Sequence, residues 1–234
     1  MHAWPDQELV RLGLGWRRAG VPGGAGTGSE PDYALIWQSL YFDATGRHQD
    51  AIGSMQRARE IEPLSTSVNL YLGVAQGHAG QHDLALRQLQ QSIELDPSYY
   101  RSYMFLGRAL SSLERNDEAV VAFEKALSLT PDSLESLAFL GAALAAKGER
   151  QRSLAIVKMV KAAEDRTEPA VLIATIYARL QLSKEMYEWL ERGVAQKSTP
   201  IYIAVLNHEF RPYRTDARFH KFLASIGLSH LARN

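Results

Sequence analysis

The 234-residue chain has no cysteine, which excludes disulfide bonds, thiol nucleophiles and zinc–thiolate sites. It also lacks net charge, because 26 basic residues balance 26 acidic ones. Without a basic excess, neither nucleic acid nor an anionic membrane is expected as the main partner. No apolar run approaches the ~20 residues that span a bilayer. The N-terminus does not read as a secretory leader: Asp6 and Glu8 come early, and Arg11, Gly13 and Gly15 interrupt the apolar stretch from Leu9 to Trp16. A cytoplasmic location is the expectation. The short motifs of catalysis are missing too, with no Gly-x-Ser-x-Gly, His-Glu-x-x-His, Walker A or dinucleotide fingerprint. The glycine-rich run Gly23–Ser29 lacks the phosphate-loop lysine and reads as linker. His78, His82 and Asp83 straddle Gly80 and need not share a helix face, so they read as solvated loop residues and not as a metal site. No catalytic residue, metal or cofactor is expected.

What the chain does have is a period. Pro63, Pro97 and Pro131 stand 34 residues apart, as do Ala51, Ala85 and Ala119. Leu72-Gly73, Leu106-Gly107 and Leu140-Gly141 keep the same interval. Gly80 follows Gly46 by one interval, and Gly148 follows Gly80 by two. A fixed period of this length marks a repeat architecture, which grows by stacking units instead of enlarging one core. With each proline at position 32, units begin at Asp32, Thr66, Tyr100 and Leu134, and a looser fifth begins near Thr167.

Each unit reads as two helices. In the third, Tyr103, Leu106, Gly107 and Leu110 fall on one helical face. Glycine costs ~1 kcal/mol inside a helix, so Gly107 implies close approach of a neighbouring helix. The second helix is expected to begin at Asn116 as N-cap, with Asp117 and Glu118 favouring the positive helix end. Its inner face is Ala119, Phe123 and Ala126. The residue before a proline is pushed out of helical geometry, so the helix should stop near Leu129, with Asp132 or Ser133 capping the next.

This unit resembles the tetratricopeptide repeat (TPR), whose pattern is a large residue, Leu-Gly, an aromatic, then Ala, Phe and Pro. The third unit reads Tyr103, Leu106-Gly107, Leu110, Ala119, Phe123, Pro131. The second reads Asn69, Leu72-Gly73, Gln76, Ala85, Leu89, Pro97, and the first Leu35, Gln38-Ser39, Phe42, Ala51, Met55, Pro63. The fourth keeps Leu137, Leu140-Gly141 and Leu144 but has Ser153 for the alanine and no proline at Asp165, so its second helix should run to about Glu164. The fifth keeps Ile173-Ala174, Tyr177, Met186, Leu190 and Gly193. The resemblance implies an all-α, right-handed superhelical solenoid of helix-turn-helix units over residues 32–197.

Residues 1–31 read as a short helix from Trp4 to Arg18 followed by a glycine-rich linker. Residues 198–234 read as a C-terminal cap: a short helix from Pro200 to Asn207, a turn at Phe210–Arg214, and a last helix with Phe219, Phe222, Leu223 and Ile226 on one face before Gly227. Arg214 and Arg218 are expected to pair with Asp216 and neighbouring carbonyls. The run Phe210-Arg211-Pro212-Tyr213-Arg214-Thr215-Asp216-Ala217-Arg218-Phe219 resembles the ends of TPR regions in bacterial winged-helix regulators and Ser/Thr kinases, with Tyr213 in place of leucine. That likeness implies an alternative role as the sensor or oligomerisation region of such a protein.

In a TPR stack, positions 2, 5, 9 and 12 of each first helix face a concave groove. The resemblance therefore places Tyr33, Ile36, Leu40, Leu70, Val74, Arg101, Met104 and Arg108 on that face. Trp37, Tyr71 and Phe105 recur at position 6, on its edge or packed against the adjacent helix. TPR domains that hold chaperone tails use Lys and Asn where this chain has Ile36 and Leu40, which cannot pair with a carboxylate. The expected function is a non-enzymatic scaffold that takes an apolar peptide or helix of a partner protein, with Arg101 and Arg108 meeting any carboxylate on it. Self-association, or residues 4–16 folding back, would cover the same face.

Overall fold

The structure is a computed structural model and describes residues 30–163, 169–196 and 207–228. Of the helix and linker expected over 1–31, residues 1–29 lie outside these, as do residues 200–206 of the helix expected from Pro200, while Glu30 and Pro31, read as the end of the linker, already belong to a helix, where proline is tolerated in the first turn. Among the described residues every regular element is helical. Successive pairs are α1 (Glu30–Ala44) with α2 (His48–Ile61), α3 (Thr66–His78) with α4 (His82–Leu95), and α5 (Tyr100–Ser112) with α6 (Asn116–Leu129). The pairs α7 (Leu134–Ala146) with α8 (Arg150–Lys161) and α9 (Ala170–Arg179) with α10 (Ser183–Ala195) follow. A 3₁₀ helix (His208–Tyr213) and α11 (Ala217–Ser225) form the cap. The residues group into two compact units that divide in sequence between Ser136 and Leu137.

The prolines stop helices as their chemistry requires. Glu62, Asp96 and Thr130 precede Pro63, Pro97 and Pro131, and their ψ angles of 78°, 95° and 84° have left the helical region. Ser133 then supplies the next cap, its Oγ accepting from the Ser136 N–H at 3.2 Å. Asn116 does not cap α6: Arg115 is the N-cap, and Asn116 turns its amide toward the Glu114 carbonyl. The Arg115 guanidinium grips Glu118 with two bonds of 2.7 Å across the first turn, a forked pair that lies where a side-chain cap would act. The α8 helix ends at Lys161, short of the expected Glu164, with Ala162 as C-cap. No proline or glycine breaks the chain there.

Each tight turn between paired helices needs one residue in the left-handed region. Gly46, Gly80 and Gly148 fill it at φ of 76°, 77° and 82°. In the third pair the same place is taken by Glu114, at φ 57°. The missing glycine of the 34-residue series is thus a side chain held where an L-residue pays ~1–2 kcal/mol. Glu114→Gly is expected to raise stability by about 0.5–1 kcal/mol, since the added freedom of the unfolded chain offsets part of the relief. The denaturant midpoint measures it, and a lower midpoint would show that Glu114 is not strained.

In residues 30–136 each first helix packs on its own second helix and on the first helix of the next pair. Ala51, Met55, Ala58, Val68, Leu72 and Ala75 have no exposed surface and form the core between the first two pairs. Asn69 and Gln88 carry a polar network beside it, whereas Gln76 Oε1 is buried without a hydrogen-bond partner. Asn69 donates to the Pro63 and Ser65 carbonyls at 3.0 and 2.8 Å and accepts from Gln88 Nε2 at 2.6 Å. Gln88 in turn accepts from Arg59 at 3.1 Å. Such a network is favourable only when every member is paired, so it opposes slippage of one pair against the next.

In residues 137–228 the fifth pair is buried as its pattern implied, with Ile173, Ala174, Met186 and Leu190 all at 0% exposure. The 3₁₀ helix lies on α9, where the Tyr213 hydroxyl donates to the Ala178 carbonyl at 3.0 Å. Asp216 caps α11 by accepting the Arg218 backbone N–H at 2.7 Å. The Arg218 guanidinium does not pair with Asp216, as expected from sequence, but reaches Glu191 at 2.9 Å and covers the Tyr187 ring. Gly227 ends the helix at φ 79°, and the Leu228 N–H returns to the Leu223 carbonyl at 2.8 Å.

Candidate functional site

The first helices α1, α3 and α5 lie side by side in residues 30–136, and their periodic positions divide by burial. Position 5 is core: Ile36 is 6% exposed, and Leu70 and Met104 are 0% exposed. Leu70 and Met104 therefore offer no surface to a ligand, contrary to their place in the expected groove, because the neighbouring first helix already covers them. Val74 and Phe105 keep only a sliver at 9%. Tyr33, Trp37, Leu40, Tyr71, Arg101 and Arg108 are half-buried. Leu40 and Tyr71 rest against the core of the first two pairs and present their outer edges. Asp43, at position 12, is buried and does not belong to this face.

One cluster brings several of the expected residues together. The rings of Tyr71 and Phe105 meet at 6.1 Å, tilted by 59°. The guanidinium carbons of Arg101 and Arg108 lie 5.6 and 5.0 Å from the Phe105 centroid, within range of the attraction between a cation and an aromatic face. Arg101 and Arg108 are one helical face by spacing, and Phe105 lies between them in sequence. Arg101 Nη2 donates to the Tyr71 hydroxyl across a long 3.4 Å. Its Nε is buried with no hydrogen-bond acceptor.

Two residues that periodicity did not select complete the cluster. Tyr99, the N-cap of α5, is pushed up to about 12, chiefly by loss of solvent, while the nearby Arg101 charge pulls the other way. It remains a neutral O–H at any physiological pH. Glu135 acts on Arg101 electrostatically. Burial draws the Arg101 guanidinium down, but Tyr71, Glu135, Tyr99 and Tyr100 together hold it above its usual range, so it keeps its charge. Tyr99 lies in the turn and Glu135 in the following pair, positions that a search along one helix face does not reach.

The histidines are placed differently from expectation. His78 does not stand free in its turn: its Nδ1 is 3.0 Å from Asp43 Oδ2, while His48 Nδ1 is 3.0 Å from Asp43 Oδ1. One buried carboxylate thus ties the first two turns together. The link joins residues 35 apart in sequence, and only folding shows it. Among the described residues no three His, Cys, Asp or Glu side chains are placed to hold a metal ion, and no helix is long and apolar enough to cross a membrane.

The paired helices with a glycine at their point of closest approach define a class, the tandem helix-hairpin repeat. Tetratricopeptide-repeat family models match residues 38–100 and 100–133, and these units are tetratricopeptide repeats. No curated protein matches the sequence. A thermophilic TPR protein of Thermus thermophilus is similar in structure with a TM-score of 0.61 at 21% identity, covering 84% of this chain and 99% of that one. A Podospora anserina protein of nearly identical TPR-like repeats gives a TM-score of 0.53 at 18% identity, covering 73% of this chain and 100% of that one. The crystal structure of MamA gives 0.49 at 25% identity, covering 58% of this chain and 79% of that one.

Proposed function

We propose that this chain is a non-catalytic scaffold that binds a segment of a partner protein across the first-helix face of residues 33–108. The observation that carries the reading is the half-buried row of Trp37, Leu40, Tyr71, Arg101 and Arg108 over a packed floor. Large side chains held partly exposed by a rigid core are what an interface uses as anchors, with little ordering cost on binding. The bound segment combines apolar contacts to Trp37 and Leu40 with a polar contact at the arginines. Ile36, Leu70, Val74 and Met104 support that surface from beneath.

The test compares the parent chain with Leu40→Asp and Trp37→Ala in binding to peptides selected against the parent. Each variant is expected to weaken selected peptides by roughly tenfold or more, about the ~1–2 kcal/mol of an anchor at an interface edge. The parent helical content should be retained, because both side chains are only half-buried. Peptide affinities that stay the same in both variants would move the binding face elsewhere.

A further inference from the structure

We propose that the outer side of α1 is a contact between two copies of this chain, which meet head to head through Ala34, Trp37 and Tyr41. The inference stands apart from the scaffold reading and concerns another side of the same helix, with Trp37 at the border between the two.

The period shows what this side is shaped for. Residues 34 apart take the same place on successive first helices, so Ala34 corresponds to Val68 and Ser102, and Tyr41 to Ala75 and Ala109. In α3 and α5 that side faces the preceding pair. Val68 and Ala75 are 0% exposed and share one core with Ala51, Met55 and Ala58 of α2. Ser102 is also 0% exposed, its Oγ lying 2.7 Å from Ser92 Oγ of α4. Among the described residues α1 is the first helix, and there Ala34 is exposed while Trp37 and Tyr41 are half-buried. Gln38, which corresponds to Leu72, is turned to α2 instead, its Oε1 accepting from Ser54 Oγ and Arg57 Nη2 at 3.0 and 3.1 Å. What remains is an apolar side with an aromatic pair, the residue types that anchor interfaces.

Four observations make a second copy the occupant. A neighbouring pair of the usual kind does not fit, because Tyr41 sets a ring where α3 and α5 have Ala75 and Ala109, and small side chains at the contact are what let helices come close. Residues 33–42 carry no charge, so the patch can face itself without repulsion, as a twofold contact requires. Residues 4–16 of the same chain are the poorer candidate. Gly13 and Gly15 interrupt their apolar stretch, each costing ~1 kcal/mol in a helix, whereas α1 is already formed. The last helix pair is not the counterpart either, because the 3₁₀ helix already lies on α9 and Tyr213 is bonded to the Ala178 carbonyl. The contact therefore closes at two copies and does not propagate into a filament.

A contact centred on one helix is small, so the expected dimer is weak, with a Kd of about 1–100 μM. Light scattering of the full chain should show the monomer mass at high dilution and approach the dimer mass at several times the Kd. Ala34→Arg and Tyr41→Glu should each remain monomeric over the same range and keep the parent helical content, since neither position lies in the core. The chain has no cysteine, so Ala34→Cys carries a single thiol whose reaction with a maleimide reports on this side alone. That reaction should be fast in dilute solution and slow by roughly tenfold as the dimer fills. A parent that stays monomeric at every concentration, or a dimer that persists in both Ala34→Arg and Tyr41→Glu, would overturn the proposal. So would a thiol slowed equally at every concentration, which would give this side to another segment of the same chain. A thiol that reacts fast at every concentration would show that nothing covers α1 and would overturn it too.

Discussion

Gly107→Leu is expected to destabilise the third helix pair by about 3 kcal/mol or more, at the upper end of the effect of overfilling a packed core. The cause is geometric. A Cβ at Gly107 would lie 2.7, 2.8 and 2.9 Å from Cε1, Cδ1 and Cζ of Phe123, distances that real Cβ atoms do not tolerate. Phe123 is 1% exposed and has no open side to move into. The smaller Gly107→Ala should cost less, about 1–2 kcal/mol, because alanine returns ~1 kcal/mol of helix propensity. Combining Gly107→Ala with Phe123→Leu should recover part of the loss, giving a coupling that two independent sites do not show. Urea denaturation followed by circular dichroism measures these three variants together with the Phe123→Leu single variant that the coupling requires. A Gly107→Leu chain that unfolds at the parent midpoint would mean that the two helices do not meet at this glycine. The same contact recurs with other partners: a Cβ at Gly73 would meet Leu89 at 2.9 Å, and one at Gly141 would meet Ile156 at 2.9 Å.

Phe210→Ala should cost about 3–5 kcal/mol in the unit that begins at Leu137, the range for emptying a buried aromatic site. Phe210 is 0% exposed, and its ring lies 6.1 Å from Phe219 at an interplanar angle of 12°. Phe219 continues to Phe222 at 6.0 Å. Three rings therefore join the 3₁₀ helix to α11, and the Tyr213 bond to Ala178 joins the 3₁₀ helix to α9. Repeat arrays need such an end, because the last unit would otherwise leave its apolar face in water. Hydrogen exchange should show amide protection lost in α9–α11 first. Retained protection there, with an unchanged denaturation midpoint, would show that the aromatic stack is not what holds the cap.

The fold was legible because a repeat states its packing rule several times. Pro63, Pro97 and Pro131 each stop a helix for the same local reason, and the glycines of the Leu-Gly pairs each mark the same close approach. Where the period faltered, sequence still gave the position but not the cause. Glu114 stands where glycine was due and is seen only in the structure to take its left-handed backbone. Local signals also misled, at a helix cap and at an ion pair among other places. Asn116 is a good capping residue in isolation, yet the Arg115–Glu118 fork occupies the first turn. Arg218 has Asp216 close in sequence, yet folding brings Glu191 to it from 27 residues away.

By itself the sequence determined the all-α class, the pairing of helices and the small-to-large contact at Gly107, since each follows from periodicity and backbone sterics within 34 residues. Which side chains on the first helices keep a surface was decided only by tertiary structure. Leu70 and Val74 lie on one face by spacing, as do Met104 and Arg108. The approach of the adjacent first helix buries three of the four and leaves Arg108 outside. The same packing drew Tyr99, Arg101 and Glu135 together from a turn and two helices and left the Arg101 Nε without an acceptor. Periodicity describes one helix at a time, whereas burial and charge pairing depend on distances between helices, which exist only once the units have stacked.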